Sequence, residues 1–524
     1  MASVLQQSFS RRRGSSYKAR TNSPAIIHYG PRIACASPGR IAPGKYTEAC
    51  QTVKDLAELI RNYYGRDAVR ERILEFLGPS STNGATATYV CGTDGESDPC
   101  ALEPLPVGRI DELLRRGCEI GRSLWDRKFL IADLDIDYEN FDSAGEAYVN
   151  PDRTFHILQP VVDAAIEFLR TAGVHPLHLI SGRGHHLVWA IHYESPAFSQ
   201  LAALGNPPPS LMMLYDRCAV EFGQTLHPSI ARAFAGLGML LEFVAHRILE
   251  MATPRCSVPI QVTLVEVGPV GGRREIVSLD ISEYGDPLHL RHIRAPFSVY
   301  LKPRGLAWCL GHQGVRQLLP LFEIPLSGMP IQKALCVRGN AEATLELAEG
   351  SPVRIPDESE ASLNLLREYK NSDLAEFHER FYSCQSKTAG GAELSSDAHS
   401  PDVLPACTRW ILDHPNDWLL KPGGIQHVTR TLMALSWSPQ EIVHIIRTKY
   451  LEDFGWKDRW LRYDAASRAL FYVRLFSGLI DTGQDQLIDF NCVSHQEKGY
   501  CTVPDCTLNL VPYQQALLRR RQHG

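Results

Sequence analysis

The chain has no run of apolar residues approaching the roughly eighteen that a membrane span requires, and its N-terminus lacks the apolar stretch of a signal peptide. A cytoplasmic protein with no membrane partner is the simplest reading. Nor is there an excess of positive charge, since 54 Lys and Arg face 59 Asp and Glu for a net charge of −5. That argues against a uniformly basic nucleic-acid coat, while a local basic channel stays open. The fourteen cysteines lack the regular spacing of a disulfide framework and read as reduced thiols plus one metal or cluster site. What is present is ordinary for globular proteins: 524 residues, 44% hydrophobic and 22% charged, enough for two or more domains with full cores.

One stretch resists a purely structural explanation. In Phe129-Leu130-Ile131-Ala132-Asp133-Leu134-Asp135-Ile136-Asp137 an apolar run turns into alternating carboxylates and aliphatics. On a strand of period two, Asp133, Asp135 and Asp137 share one face. Three such charges repel one another and resist desolvation, so a divalent cation between them accounts for the pattern. The alternative is an exposed edge strand with an acidic outer face.

Ahead of it, residues 1–45 carry Arg11-Arg12-Arg13 and scattered prolines without periodicity, the marks of a flexible basic arm. The spacing of Val53, Leu56, Leu59, Ile60, Tyr63 and Tyr64 predicts a helix, and Val69, Ile73, Phe76 and Leu77 predict a second. Residues 79–106 read as loop or weak strand, and Arg109 to Arg122 as helix. After the acidic strand, Val161 to Leu169 predicts an amphipathic helix. Then Leu177 to Ala190, with Ser181-Gly182-Arg183-Gly184-His185-His186 in its middle, predicts strand, glycine turn, strand. Two glycines around an arginine allow backbone amides and a guanidinium close to an anion, and His186, Val188 and Ala190 share a face. A hairpin that merely contains Arg and His is the alternative. Residues 200–255 are largely helical, Glu275 to Asp280 is a strand ending in a carboxylate, and Arg291 to Lys302 alternates cations and hydroxyls with apolar residues around Pro296. That last stretch suits a triphosphate pocket or a solvated basic strand.

In that order and at those separations, the acidic strand, the Ser-Gly-Arg-Gly-x-His turn and the later Asp280 resemble the three motifs of the archaeo-eukaryotic primase superfamily. Leu279 to Lys302, with Pro296-Phe297-Ser298-Val299 inside it, is similar to the primase small catalytic subunit, and the Tyr63-Tyr64 helix suits its beginning. The resemblance covers roughly residues 46–345. It implies an α+β catalytic domain with a mixed or antiparallel sheet and flanking helices. It also implies that first-motif aspartates (Asp133 with Asp135, or Asp135 with Asp137 followed by Asp142) and Asp280 hold two Mg²⁺ or Mn²⁺ ions. Ser181, Arg183 and His186 would hold the phosphates of an NTP or dNTP, with Arg294 and Lys302 as basic contacts. Tyr300 stands where that subunit usually has a histidine. Two divalent ions about 4 Å apart activate a 3′-hydroxyl and neutralise the leaving pyrophosphate, and carboxylates suit both metals.

Beyond a helix around Leu363 to Tyr382, residues 346–400 end in the Gly/Ser/Ala-rich linker Gln385 to Ser400, and residues 401–524 read as a mainly helical domain. Ser438-Pro439-Gln440-Glu441 is a capping box. Near the end, Cys492, Cys501 and Cys506 lie close together and need one more soft ligand. His495 would complete a zinc site, Cys407 a four-cysteine iron-sulfur site, and simple burial is the third reading. The Pro405-Ala406-Cys407 start, the helical body with His427 and Arg430 and the terminal cysteines resemble the C-terminal domain of the primase large subunit, which carries a four-iron, four-sulfur cluster. The expectation is therefore a DNA primase or primase-polymerase, a nucleotidyltransferase acting on a single-stranded DNA template, with a replicative helicase as a candidate partner. The alternatives are a repair or gap-filling polymerase of the same superfamily and a non-catalytic single-strand-binding replication-initiation protein.

Overall fold

The aliphatics between the aspartates decide where the acidic strand goes. Leu130, Leu134 and Ile136 are fully buried, and burying that face requires neighbours on both sides. A computed structural model describes residues 53–78, 84–95, 104–221, 226–269, 272–388, 404–452, 454–456, 459–501, 506 and 508–523. The strands are β1 (Val90–Thr93), β2 (Glu119–Ser123), β3 (Phe129–Asn140), β4 (Leu177–Ile180), β5 (Gly184–His192), β6 (Ile260–Val262), β7 (Glu275–Asp280), β8 (His292–Arg294), β9 (Val299–Tyr300), β10 (Leu321–Phe322) and β11 (Ile324–Pro325). They form an α+β structure around a six-stranded sheet of order β11-β4-β5-β3-β7-β6, a three-stranded sheet β1-β2-β8 and a two-stranded ribbon β10-β9. Only β6 and β7 run parallel, so the large sheet is mixed and the small ones antiparallel. The acidic strand is an interior strand, paired with β5 from Phe129 to Asp137 and with β7 from Asp135 to Asn140, which removes the exposed-edge alternative.

Several elements are longer or shorter than their local patterns. The helix expected over 161–169 spans Pro151–Thr171, because Pro151 starts it at a first-turn position and its apolar stripe continues through Phe155, Ile157 and Leu158. The helix expected from Arg109 to Arg122 is short: after Ile110–Arg116, Gly117 at φ 70° closes it and the chain enters β2. The basic stretch 291–302 is not one strand, since Phe297 at φ 64° breaks it into β8 and β9. Leu363 to Tyr382 divides between Ser359–Lys370 and Asp373–Thr388. The capping box at Ser438 forms as expected, with Ser438 Oγ accepting from the Glu441 amide. The arm at 1–45 and most of the linker at 385–400 lie outside the described residues.

One described helix, Pro228–Ala252, is long and apolar enough to cross a membrane by length and composition, although no single apolar run in it approaches that length. Some 72% of its apolar window is buried inside the protein, as expected of a core helix. It packs between the large sheet and the C-terminal helices. Buried Glu242 on it accepts from Arg474 Nε at 3.0 Å, and Arg474 lies in the helix Ala465–Asp481. Arg468 of that helix also reaches Asp286, at 3.2 Å, just past β7. The helices after residue 404 thus pack directly on the sheet region, and all described residues belong to one compact unit, Cys50–Gly524.

Candidate functional site

Antiparallel register places the acidic residues opposite one another. Asp135 lies directly across from His186 of β5 on one side and Asp280 of β7 on the other. Residues directly opposite point to the same face, so Asp133, Asp135, Asp137, His186 and Asp280 converge. The β1-β2-β8 sheet covers that face and leaves a cavity of about 240 Å³. Its walls include Asp133, Asp135, Asp137, Asp280, Ser181, His186, Arg294 and Lys302. Residues as far apart in the chain as Cys91 and Lys302 meet here.

Within the cavity, His186 Nδ1 is 3.2 Å from both carboxylate oxygens of Asp133, and its Nε2 is 3.9 Å from Asp135 Oδ1. Burial opposes a charge on His186, but Asp135 and Asp133 outweigh it and raise its pKa well above the usual value. Burial and then Asp137 push the Asp135 carboxyl up to about 8. Its Oδ1 is buried without a hydrogen-bond partner among the described residues. Asp280 is positioned by Thr263 Oγ1 at 3.1 Å and the Ser282 amide at 2.9 Å. Lys302 is exposed, yet desolvation by the surrounding protein, then Arg183 and Arg294, lowers its pKa.

Two residues read as phosphate contacts are engaged elsewhere. Arg183 does not line the cavity: its Nε donates to Asp137 Oδ2 at 2.6 Å and its Nη1 pairs with Glu139. Arg294 reaches the cavity wall but is held between Glu119 at 2.6 Å and Glu323 at 3.0 Å, over the Tyr300 ring. The glycines flanking Arg183 also serve a different purpose from the expected approach to an anion. A Cβ on Gly182 would lie 2.3 Å from the Tyr300 ring, and one on Gly184 only 2.1 Å from the Ile136 carbonyl oxygen. Asp142, the alternative first-motif residue, lies instead on an exposed loop beside Arg274.

No protein-family model, curated protein or solved structure matches the chain.

Sequence reasoning missed Glu283, which lines the same cavity from the turn Ser282–Gly285 after β7. Its Oε1 is buried without a hydrogen-bond partner, and burial, then the nearby Asp133, raises its pKa well above the usual value. The signal was a second carboxylate three positions after Asp280. Glu119 and Glu323 carried no local signal, because only the fold brings them to Arg294. The orphaned oxygens of Asp135 and Glu283, the two cavity carboxylates whose charge burial disfavours, fit an oxygen-seeking divalent cation.

A second cluster lies among the C-terminal helices. Cys407 of Ala406–Asp413, His427 of Pro422–Ala434 and His495 of Cys492–Glu497 are buried with their ligand atoms within 4.8 Å of one another. Thr408 Oγ1 lies 2.8 Å from His427 Nε2, while the Nδ1 atoms of His427 and His495 are buried without partners. Burial, then the neighbouring Cys501, Cys492 and Cys506, pushes the Cys407 thiol up to about 12. A buried thiol and two orphaned imidazole nitrogens form a donor set for a metal ion. His427 carries no ligand spacing relative to Cys407, since the helix Pro415–Trp418 stands between their two helices.

Proposed function

We propose that the chain is a nucleotidyltransferase of the primase-polymerase type, extending or initiating a strand on a single-stranded DNA template from an NTP or dNTP. The observation that supports it most is the convergence of Asp133, Asp135, Asp137, Asp280 and Glu283 in one cavity that also presents Ser181, His186 and Lys302. Asp135 and Asp280, facing each other across β3 and β7, with Asp133 or Asp137, would hold the two Mg²⁺ or Mn²⁺ ions. When bound, such ions supply an activated 3′-hydroxyl and charge neutralisation at the transferring phosphoryl group.

The chain's own residues do the rest. Lys302 has no ion-pair partner among the described residues and lines the cavity opposite the carboxylates, so its ammonium is available to a triphosphate. Ser181 Oγ accepts from the Gly184 amide at 3.2 Å, which fixes the turn and leaves its hydroxyl proton for a phosphate oxygen. His186, between Asp133 and Asp135, offsets their repulsion. Arg294 acts through position, since its guanidinium orients Glu119 and Tyr300. Arg183 likewise holds Asp137 in place.

In the C-terminal cluster the donor set favours zinc held by Cys407, His427 and His495, with Cys501, the thiol that acts most on Cys407, as the fourth ligand. Cys407 with Cys492, Cys501 and Cys506 around an iron-sulfur cluster is the second reading, favoured by the effect of all three thiols on Cys407. Metal analysis separates them: a colourless zinc protein damaged by His495→Ala, or a brown iron protein that tolerates that change and loses its metal in Cys407→Ser.

The activity test is incubation of the purified chain with an unprimed single-stranded template, labelled nucleotides and Mg²⁺ or Mn²⁺. Asp135→Ala and Asp280→Ala should each abolish nucleotide addition with an unchanged circular dichroism spectrum. Full activity in Asp280→Ala would overturn the reading. Extension only from a primer favours a gap-filling polymerase, and strand binding without incorporation favours the non-catalytic alternative.

A further inference from the structure

The acidic cavity occupies one end of a sheet face whose other end holds a second, larger cavity. On β3, Phe129 and Ile131 share the parity of Asp133 and Asp135, and their partners on β5 are His192 and Ala190. Phe129 and Asp135 are therefore about 20 Å apart along the strand. Between them the character of the face changes from apolar to acidic. The cavity at the Phe129 end has a volume of about 430 Å³ and shares no lining residue with the acidic one. That volume falls within the roughly 300–1,000 Å³ of small-molecule sites. Phe76, Phe129, Ile131, Ala190, Ile355 and Pro356 give it an apolar interior.

Its charged lining divides into groups already satisfied and groups that are not. Asp126 accepts from Arg122 Nη2 at 2.7 Å, Thr86 Oγ1 at 2.6 Å and the Lys128 amide at 2.8 Å. Glu75 pairs with Arg72 and accepts from the Val353 amide at 3.1 Å, and Asp357 accepts from the Ser359 amide at 3.1 Å. Arg122 is also saturated, since its remaining nitrogens donate to the Phe76 and Ser123 carbonyls. Asp357 keeps its charge without a cationic partner among the described residues, and the other side-chain charges left over are two cations. Lys128 and Arg354 line the cavity, are exposed, and form no ion pair among the described residues. An apolar interior with two uncommitted cations at its exposed edge complements a ligand with a flat apolar body and a negative end. Aromatic edges are already in place, with the Phe129 and His192 rings 5.1 Å apart at 80°.

We propose that this cavity is a binding site for an aromatic anion, a ring of nucleobase or indole size bearing a phosphate or carboxylate held by Lys128 and Arg354. The site stands apart from the acidic cavity and does not depend on the polymerase reading. Asp126 and Glu75 are already paired with Arg122 and Arg72, and the one carboxylate left, Asp357, is too few ligands for a metal, so its ligand binds without divalent cations.

Calorimetric titration of the full chain in EDTA tests this, with adenosine 5′-monophosphate, indole-3-acetate, adenosine and inorganic phosphate as probes. At least one of the two aromatic anions should bind one per chain, and the one that binds tells a phosphate-bearing from a carboxylate-bearing ligand. Adenosine and inorganic phosphate should each bind about tenfold more weakly or worse, since each lacks half of the recognition. The exposed double variant Lys128→Glu/Arg354→Glu should weaken binding by about tenfold or more, and Asp135→Asn should leave it unchanged. The proposal is overturned if neither aromatic anion binds, or if binding survives the double charge reversal. It is equally overturned if Asp135→Asn abolishes binding, because the probe would then sit in the acidic cavity. Nucleotide addition, measured separately with Mg²⁺, should persist in the double variant.

Discussion

Arg183 shows how far a residue's chemistry is set by what stands beside it. As a lone cation between glycines it reads as a phosphate ligand, yet in the fold it neutralises Asp137 and Glu139, two carboxylates with little exposure. Burial by itself would raise the Asp137 pKa, and Arg183 together with Lys302 holds it below its ordinary value instead. Arg183→Ala leaves those carboxylates without their guanidinium and should cost about 3–5 kcal/mol of stability, read as a lower urea midpoint. A residue that only touched nucleotide would raise KM and leave the midpoint where it was. Glu283 is the converse case: its only local mark is standing three positions after Asp280, and what singles it out is its orphaned buried oxygen. Glu283→Gln should weaken Mn²⁺ binding measured by calorimetry while leaving the melting temperature unchanged or raised, because it removes a charge the metal-free cavity disfavours.

At the scale of elements, period-two alternation made β3 legible and with it the shared face of Asp133, Asp135 and Asp137. The hairpin β4–β5 was legible too, from its glycine turn. The purpose of those glycines was not, because it depends on Tyr300 and on the Ile136 carbonyl, which belong to other strands. Gly184→Ala tests the point. Its Cβ would meet a backbone oxygen at 2.1 Å, which no rotamer change relieves, so the β3–β5 pairing itself must shift. A loss of about 2 kcal/mol or more is expected in thermal unfolding, with nucleotide addition reduced through misplacement of His186 and Asp135.

For the whole molecule, the packing of the C-terminal helices against the sheet region matters most. Glu242, His246 and His378 are buried where Pro228–Ala252 meets the later helices, and Arg474 from the far side pairs with Glu242. One cooperative unfolding transition is expected for the described body, and two separate transitions by calorimetry would contradict the shared core. Burial lowers the His246 pKa to about 4, so it is neutral when folded and readily protonated when unfolded. The unfolded state then binds the extra proton between pH of about 6.5 and 4, and stability from this group, present above about 6.5, is lost on acidification through that window. The loss is on the order of 3 kcal/mol. His246→Gln should flatten the pH dependence of the urea midpoint there.

Local pattern by itself determined the acidic face of β3, the turn after β4 and the capped helix at Ser438. Each of these rests on periodicity or spacing within a few residues, which short-range sterics and hydrogen bonding enforce. Tertiary structure alone decided which charges remain uncommitted. Arg183 and Arg294 are consumed by carboxylates from β3, β2 and the residue between β10 and β11, whereas Lys302, Lys128 and Arg354 are not. It also brought His427 to Cys407 and Glu283 to Asp133. The physical reason is that a charge's role depends on its partner and on the water it loses, and both are fixed by residues distant in the chain.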